Sequence, residues 1–180
     1  MAVIILVGLA RSGKDTAADY IVEKHGFAKY NFSTVLSKML EQKDIPQTKQ
    51  AMNQLGDMIR EEMGMDAIAK LLDKKITQKN NLVLVGPRSM EEIDYFQKKF
   101  PKLKIIKIVT GTDERFSRRS NEDPKDEKKF FARDENDLKR KGFQKVLDSA
   151  DLSVNNFGNK KDFYSEIETA IKLVLADENK

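Results

Sequence analysis

The chain has 180 residues, 39% of them apolar and 34% charged, which suits one domain with a sizeable core. It contains no cysteine, so disulfides and thiolate metal sites are excluded and nothing points to secretion. Lys and Arg number 33 against 29 Asp and Glu; the net charge of +4 is too small to argue for nucleic acid and suits an anionic small molecule as well.

Ala2–Val7 is a continuous apolar run and predicts a buried first strand. It is too short for a membrane span and has no basic flank before it. Neither anchor nor signal peptide is expected, and the cytoplasm is the default compartment. The next residues are Gly8-Leu9-Ala10-Arg11-Ser12-Gly13-Lys14-Asp15-Thr16. They match a phosphate-binding P-loop delivered by a strand and followed by a helix. The glycines permit a tight backbone, the loop N–H groups and the helix N-terminus cradle an anion, and Lys14 bridges the outer phosphates of a nucleoside triphosphate. The position after the lysine usually carries a Ser or Thr magnesium ligand; here it is Asp15, with Thr16 one later. Asp15 reads either as a magnesium ligand through water or as an acid favoured in a first helical turn. Arg11 reads either as a phosphate contact or as a solvated loop residue.

Asp15–His25 predicts the first helix, with Ala17, Ala18, Ile21 and Val22 facing inward and Gly26 stopping it. The only histidine, His25, has no ligand partners nearby and reads as structural or solvated. Phe27–Phe32 predicts a short second strand. Helical patterns follow at about 34–42, 48–63 and 65–78; Met52, Leu55, Ile59 and Met63 make one face of the second of these. Asn81–Val85 predicts a central third strand, and Ser89 with Glu92 a capping box at the start of the next helix. Lys104–Val109 and Asp151–Val154 predict the fourth and fifth strands, and 160–176 an amphipathic closing helix. Strand and helix alternate throughout, so the expectation is an α/β fold of the three-layer P-loop NTPase kind. It has a five-stranded, mainly parallel sheet flanked by helices.

Between the last two strands, 19 of the 31 residues from 111 to 141 are charged, ten basic and nine acidic. This segment reads as a solvated helical excursion or as a helical lid over the substrate. Arg88 follows the third strand at the sheet edge where ligands bind, and its planar fork suits a clamp on an acceptor phosphate. Arg60 is a second candidate, its alternative being a solvated residue beside Glu61 and Glu62.

These residues resemble the P-loop nucleoside monophosphate kinase superfamily across nearly the whole chain. Gly86-Pro87-Arg88-Ser89 with Glu91-Glu92, then Arg133-Asp134-Glu135, Ser149-Ala150-Asp151 and Asn155-Asn156, resemble the archaeal adenylate-kinase-like and dephospho-CoA-kinase-like proteins. Ala10 and Arg11-Ser12-Gly13-Lys14-Asp15, with Gln54-Leu55-Gly56-Asp57 through Arg60, resemble phage-type deoxynucleoside monophosphate kinase and animal-type phosphomevalonate kinase. The resemblance implies an ATP- and Mg2+-dependent kinase of a small phosphorylated, nucleotide-like acceptor. Dephospho-CoA is the alternative acceptor, and a regulatory nucleotide-binding protein without transferase activity the alternative class. Donor residues would be Gly8, Ala10, Arg11, Ser12, Gly13, Lys14, Asp15, Thr16 and Asn155. Catalytic cations would be Lys14 and Arg88, with Arg115, Arg119 and Arg133 from the lid; the acceptor would meet the helical region at about 33–78. Two departures stand out. Val85 occupies the strand end where the archaeal branch has an Asp, and Phe32-Ser33-Thr34-Val35 lacks the Asp and Arg often found in acceptor helices.

Overall fold

A computed structural model describes the main chain of every residue except Gln78, Lys79, Glu122, Lys141, Asn179 and Lys180; the side chains of Arg133, Asn136, Arg140 and Glu178 also lie outside the description. Five strands form one sheet in the order β2-β3-β1-β4-β5: β1 (Val3–Val7), β2 (Ala28–Asn31), β3 (Leu82–Val85), β4 (Lys104–Val109) and β5 (Leu152–Asn155). Every pairing is parallel, with Ile4 opposite both Val83 and Lys104. A parallel sheet is covered on both faces, which is why β1 and β3 are buried at every position.

Alternation along β1 divides the core in two. Ile4 and Leu6 pack under α1 (Lys14–His25) and α9 (Lys160–Glu178), with Ile21, Phe163 and Ile171. Val3, Ile5 and Val7 face the opposite layer, with Phe96, Ile68 and Phe143. That layer is built from α2 (Phe32–Glu41), α3 (Lys49–Met63), α4 (Ala67–Asp73), α5 (Met90–Lys99) and α8 (Phe143–Asp148). Helices α6 (Thr112–Ser117) and α7 (Glu127–Arg140) belong to the charged segment. Three layers around a five-stranded parallel sheet are thus the architecture expected from the sequence.

Several local expectations need correction. Val22 is exposed, because it sits at the margin of the stripe made by Ala17, Ala18 and Ile21. Met63 is exposed too: burial on α3 is confined to Leu55, Gly56, Ile59 and Arg60, so the core ends before the last turn. Phe32 starts α2 rather than ending β2. The helix expected over 65–78 stops at Asp73, where the Lys74 N–H turns to the Leu72 and Lys70 carbonyls; Gln78 lies outside the described residues. Helix α8 was not expected. Phe143, Val146 and Leu147 form its buried face at helical spacing, and they anchor the return of the charged segment in the core.

Candidate active site

The P-loop leaves β1 at the carboxyl edge of the sheet and closes on itself through the Ser12 N–H, which donates to the Leu9 carbonyl at 3.2 Å. Gly13 has φ 99°, and a Cβ there would overlap the Asn156 amide. A Cβ on Gly8 would come 2.9 Å from the Ile108 carbonyl oxygen. Both glycines are therefore required, one for a left-handed turn and one for close approach to β4. The Ser12 carbonyl accepts from the Asn156 Nδ2 and from the Thr110 hydroxyl, each at 2.8 Å. The loop is thus pinned by residues that follow β4 and β5, with its outer side left to the cleft.

That cleft, about 530 Å3, runs from the P-loop to α2 and α3. Ala10, Arg11, Gly13, Lys14, Asp15 and Thr16 line it. Gly8 and Ser12 lie behind it; the Ser12 Oγ is buried with no partner among the described residues. Phe32, Leu36, Met52 and Ile68 give the far side an apolar wall. Asn31, at the end of β2 beside Val85, lines the cleft with its Oδ1 buried and unpartnered among the described residues. Its amide lies 3.4 Å from the Asp15 carboxylate.

Among the described residues, no group of three or more His, Asp and Glu side chains is placed to hold a metal ion. A metal at the P-loop would rest on Asp15, waters and ligand oxygens. Mg2+ commonly accepts that donor set, so the residues fit it.

The structure brings Arg88 to the cleft and fixes it twice. Its main-chain N–H donates to Glu92 at 2.6 Å, and its guanidinium is paired with Asp137. Ser89 caps α5 by accepting the Glu92 N–H, and the Glu92 carboxylate turns back onto Arg88 and Ser89 as a capping box requires. The same carboxylate takes two hydrogen bonds from Arg60, at 3.1 and 2.8 Å. Arg60 lines the cleft but is only 7% exposed, so it is not a solvated residue beside Glu61. Burial pushes the Glu92 carboxyl upward, while Arg60 and the Arg88 N–H pull it back toward the charged form.

The charged segment is not a solvated excursion. Phe116, Phe130 and Phe131 pack together, with Phe130 fully buried, and Asp123, Asp134 and Asp137 are buried as well. Arg115 does not line the cleft: it donates to the Ala10 carbonyl at 3.2 Å and pairs with Asp134 at 2.6 Å, bracing the P-loop from behind. The four-residue spacing of Arg115 and Arg119 predicts a shared helical face, but α6 ends at Ser117 and Arg119 instead lies exposed over the Phe116 ring. Arg133 lies on α7 with its side chain outside the described residues. Asn155 is exposed at the end of β5, and the neighbouring Asn156 is the residue that reaches the P-loop.

Of the lid arginines that the sequence groups together, Arg115, Arg118 and Arg119, only Arg118 lines the cleft; Lys49, which sequence reasoning missed, lines it too. Arg118 donates to the Asn156 carbonyl, and its Nη1 is buried without a partner among the described residues. For Lys49 the one sequence signal was its place just after the helix cap Thr48, which fixes where the side chain leaves α3.

Residues 7–134, from the P-loop into α7, match the family model described as AAA domain. A UPF0200 protein of Methanoregula boonei is 31% identical over 173 residues, covering 93% of this chain and 94% of the relative. The chain belongs to the UPF0200 family, and over the matched residues to the AAA domain family. Another UPF0200 protein, from Thermococcus sibiricus, is 30% identical over 176 residues and 92% of each chain. The shikimate kinase of Bacteroides thetaiotaomicron superposes with a TM-score of 0.62 over 96% of this chain and 98% of that one, at 14% identity. This UPF0200 protein therefore has a P-loop kinase-like fold, in agreement with the resemblance read from its sequence. No helix among its described residues is long and apolar enough to cross a membrane.

Proposed function

We propose that this UPF0200 protein transfers the terminal phosphoryl group of ATP to a small phosphorylated acceptor, with a nucleoside or deoxynucleoside monophosphate as first choice. The observation that carries the reading is the single cleft that joins the P-loop to an apolar wall on α2 and α3. A planar base suits Phe32, Leu36, Met52 and Ile68, while Arg88 and Lys49 offer cations to a phosphate on the same molecule.

Phosphoryl transfer between two phosphates asks the protein for alignment and charge neutralisation more than for covalent chemistry. In this reading the loop amides, Lys14 and Thr16 hold the donor phosphates, and Asp15 would hold a metal through water. Bound Mg2+ would supply charge neutralisation between the outer phosphates. Arg88 orients the acceptor, and the segment from α6 to α7 keeps bulk water out. No general base is needed when the acceptor is already a phosphate anion. A ribose hydroxyl, as in dephospho-CoA, would want a carboxylate at the strand ends, and Val85 fills that position on β3; a phosphate acceptor is favoured for that reason.

The test is ADP formation from ATP and Mg2+ in the presence of each nucleoside and deoxynucleoside monophosphate and of dephospho-CoA. Turnover with one or more monophosphates is the expected outcome. Tight ATP binding with no turnover on any acceptor would replace the kinase with a nucleotide-binding regulator.

A further inference from the structure

The cleft contains an anion seat away from the centre of the P-loop, filled by the protein itself. Asp123, in the connection between α6 and α7, is only 4% exposed. Its Oδ2 accepts the Arg11 Nε at 2.6 Å, and its Oδ1 accepts the Lys49 Nζ at 2.6 Å. The Ser120 N–H adds a third donor, to Oδ2 at 2.8 Å. The two cations come from the P-loop and from the first turn of α3, and both line the cleft. A carboxylate with each oxygen on its own cation reproduces two of the three oxygens of a phosphoryl group. Resting on the reading of this cleft as a phosphoryl-transfer site, we infer that Arg11 and Lys49 form the seat of a substrate phosphoryl dianion, and that Asp123 fills it until the substrate displaces it.

Charge and backbone agree with this. Arg11 and Lys49 bring two positive charges and Asp123 one negative, so the filled seat keeps an excess of one; a dianion in its place balances the pair. Arg11 is held at φ 64°, a conformation that disfavours a residue with a Cβ, and such positions concentrate at functional sites. The buried Nη1 of Arg118 adds a donor without a partner among the described residues in the same cleft. One consequence is that a single residue couples substrate entry to the cover: a phosphoryl group that takes the seat releases Asp123, and with it the connection between α6 and α7.

Inorganic phosphate is the probe, titrated calorimetrically at low salt into the full chain, first with ADP present and then with a non-hydrolysable ATP analogue. Asp123→Asn keeps the shape of the side chain and removes its charge. It is expected to tighten phosphate binding by about tenfold or more, the scale of a hydrogen-bonded charge pair. Lys49→Gln is expected to abolish that gain, and alone to weaken phosphate binding to the otherwise unaltered chain. The Lys49 side chain is partly solvent-exposed and belongs to neither core cluster, so this single change tests the seat even where Asp123→Asn unfolds the protein. Unchanged phosphate affinity in Lys49→Gln, or a gain in Asp123→Asn that survives loss of Lys49, overturns the seat. Phosphate bound with ADP but excluded by the ATP analogue assigns the seat to the donor's terminal phosphoryl; binding in both cases assigns it to the acceptor. Failure of both nucleotides to bind would defeat the kinase reading, and the Lys49 dependence of phosphate binding would still decide the seat.

Discussion

At the floor of the cleft, the Ser12 carbonyl takes the Asn156 amide and the Thr110 hydroxyl while Gly13 turns through a left-handed conformation. At the roof, Asp123, Asp134 and Asp137 meet Arg11 and Lys49, Arg115 and Arg88 in turn. The floor is held by neutral hydrogen bonds to the main chain and steric fit, the roof by charge. A neutral, close-packed loop keeps its shape whether or not an anion is present, as a preorganised cradle should. A roof of carboxylate–cation pairs is exchangeable, because a phosphate offers the same cations an equal or better partner. Arg115 is the joint between the two, with one bond to the floor at Ala10 and one to the roof at Asp134.

The largest effect is expected at the floor. Lys14→Met should leave the fold unchanged, since the side chain lines the cleft. It should lower phosphoryl transfer by about two to three orders of magnitude, the scale of losing one preorganised stabilising group. Near-normal steady-state turnover would remove the P-loop from the mechanism. Next comes Gly13→Ala, which combines a disfavoured φ with overlap on the Asn156 amide. A loss of about 1–3 kcal/mol in denaturant unfolding is expected, together with loss of nucleotide binding. If stability and binding are both retained, steric fit is not what shapes the loop.

The roof should answer to salt where the floor does not. Hydrogen exchange at low and at several-fold higher salt should show lower protection across 112–140 at the higher value, with β1 and α1 unchanged; a bound ATP analogue plus an accepted acceptor should restore it. The carboxylates of these pairs are buried while Arg11, Lys49 and Arg88 are partly exposed, so salt screens them only in part and the change will be modest. Equal salt response in floor and roof would erase the distinction. Asp15→Ala sharpens the comparison from the metal side. The magnesium concentration for half-maximal turnover should rise several-fold, while ATP binding without metal changes little. Superimposable magnesium curves would leave Asp15 as a helix-start acid.

The smallest effect lies outside the cleft. Glu168 on α9 accepts the Tyr20 hydroxyl at 2.9 Å and lies 3.0 Å from the His25 Nε2. The Tyr20 hydrogen bond first, and His25 second, hold its carboxyl below the ordinary 4.5. A depressed folded-state value means that the contribution is present above 4.5 and is lost as pH falls through the lower, folded value. Glu168→Gln should flatten that shallow acid limb in thermal unfolding and leave phosphate and nucleotide binding untouched. An effect on binding would show that the α1–α9 face communicates with the cleft.

The sequence by itself determined the strand, loop and helix of the floor, while the Asn156 and Thr110 bonds that pin the loop came with the tertiary fold. An apolar run, a glycine-lysine loop and a helix are adjacent in the chain, and their geometry follows from local rules: period, φ and helix capping. The parallel order of strands and helices and the Ser89 cap were legible for the same reason. Tertiary structure alone decided the roof. Lys49 finds Asp123 across 74 positions and Arg11 finds it across 112; Arg60 is withdrawn into a bond with Glu92 across 32. Nothing local distinguishes these acids and bases from the many around them. The end of α6 at Ser117 likewise removed Arg119 from the face that its spacing from Arg115 implied, and the turn after β5 brought Asn156, not Asn155, to the P-loop. Backbone conformation is dictated by neighbours in sequence, whereas the partner of a charge is dictated by what the fold buries beside it. In a segment with 19 charges among 31 residues, only the packed chain selects the pairs.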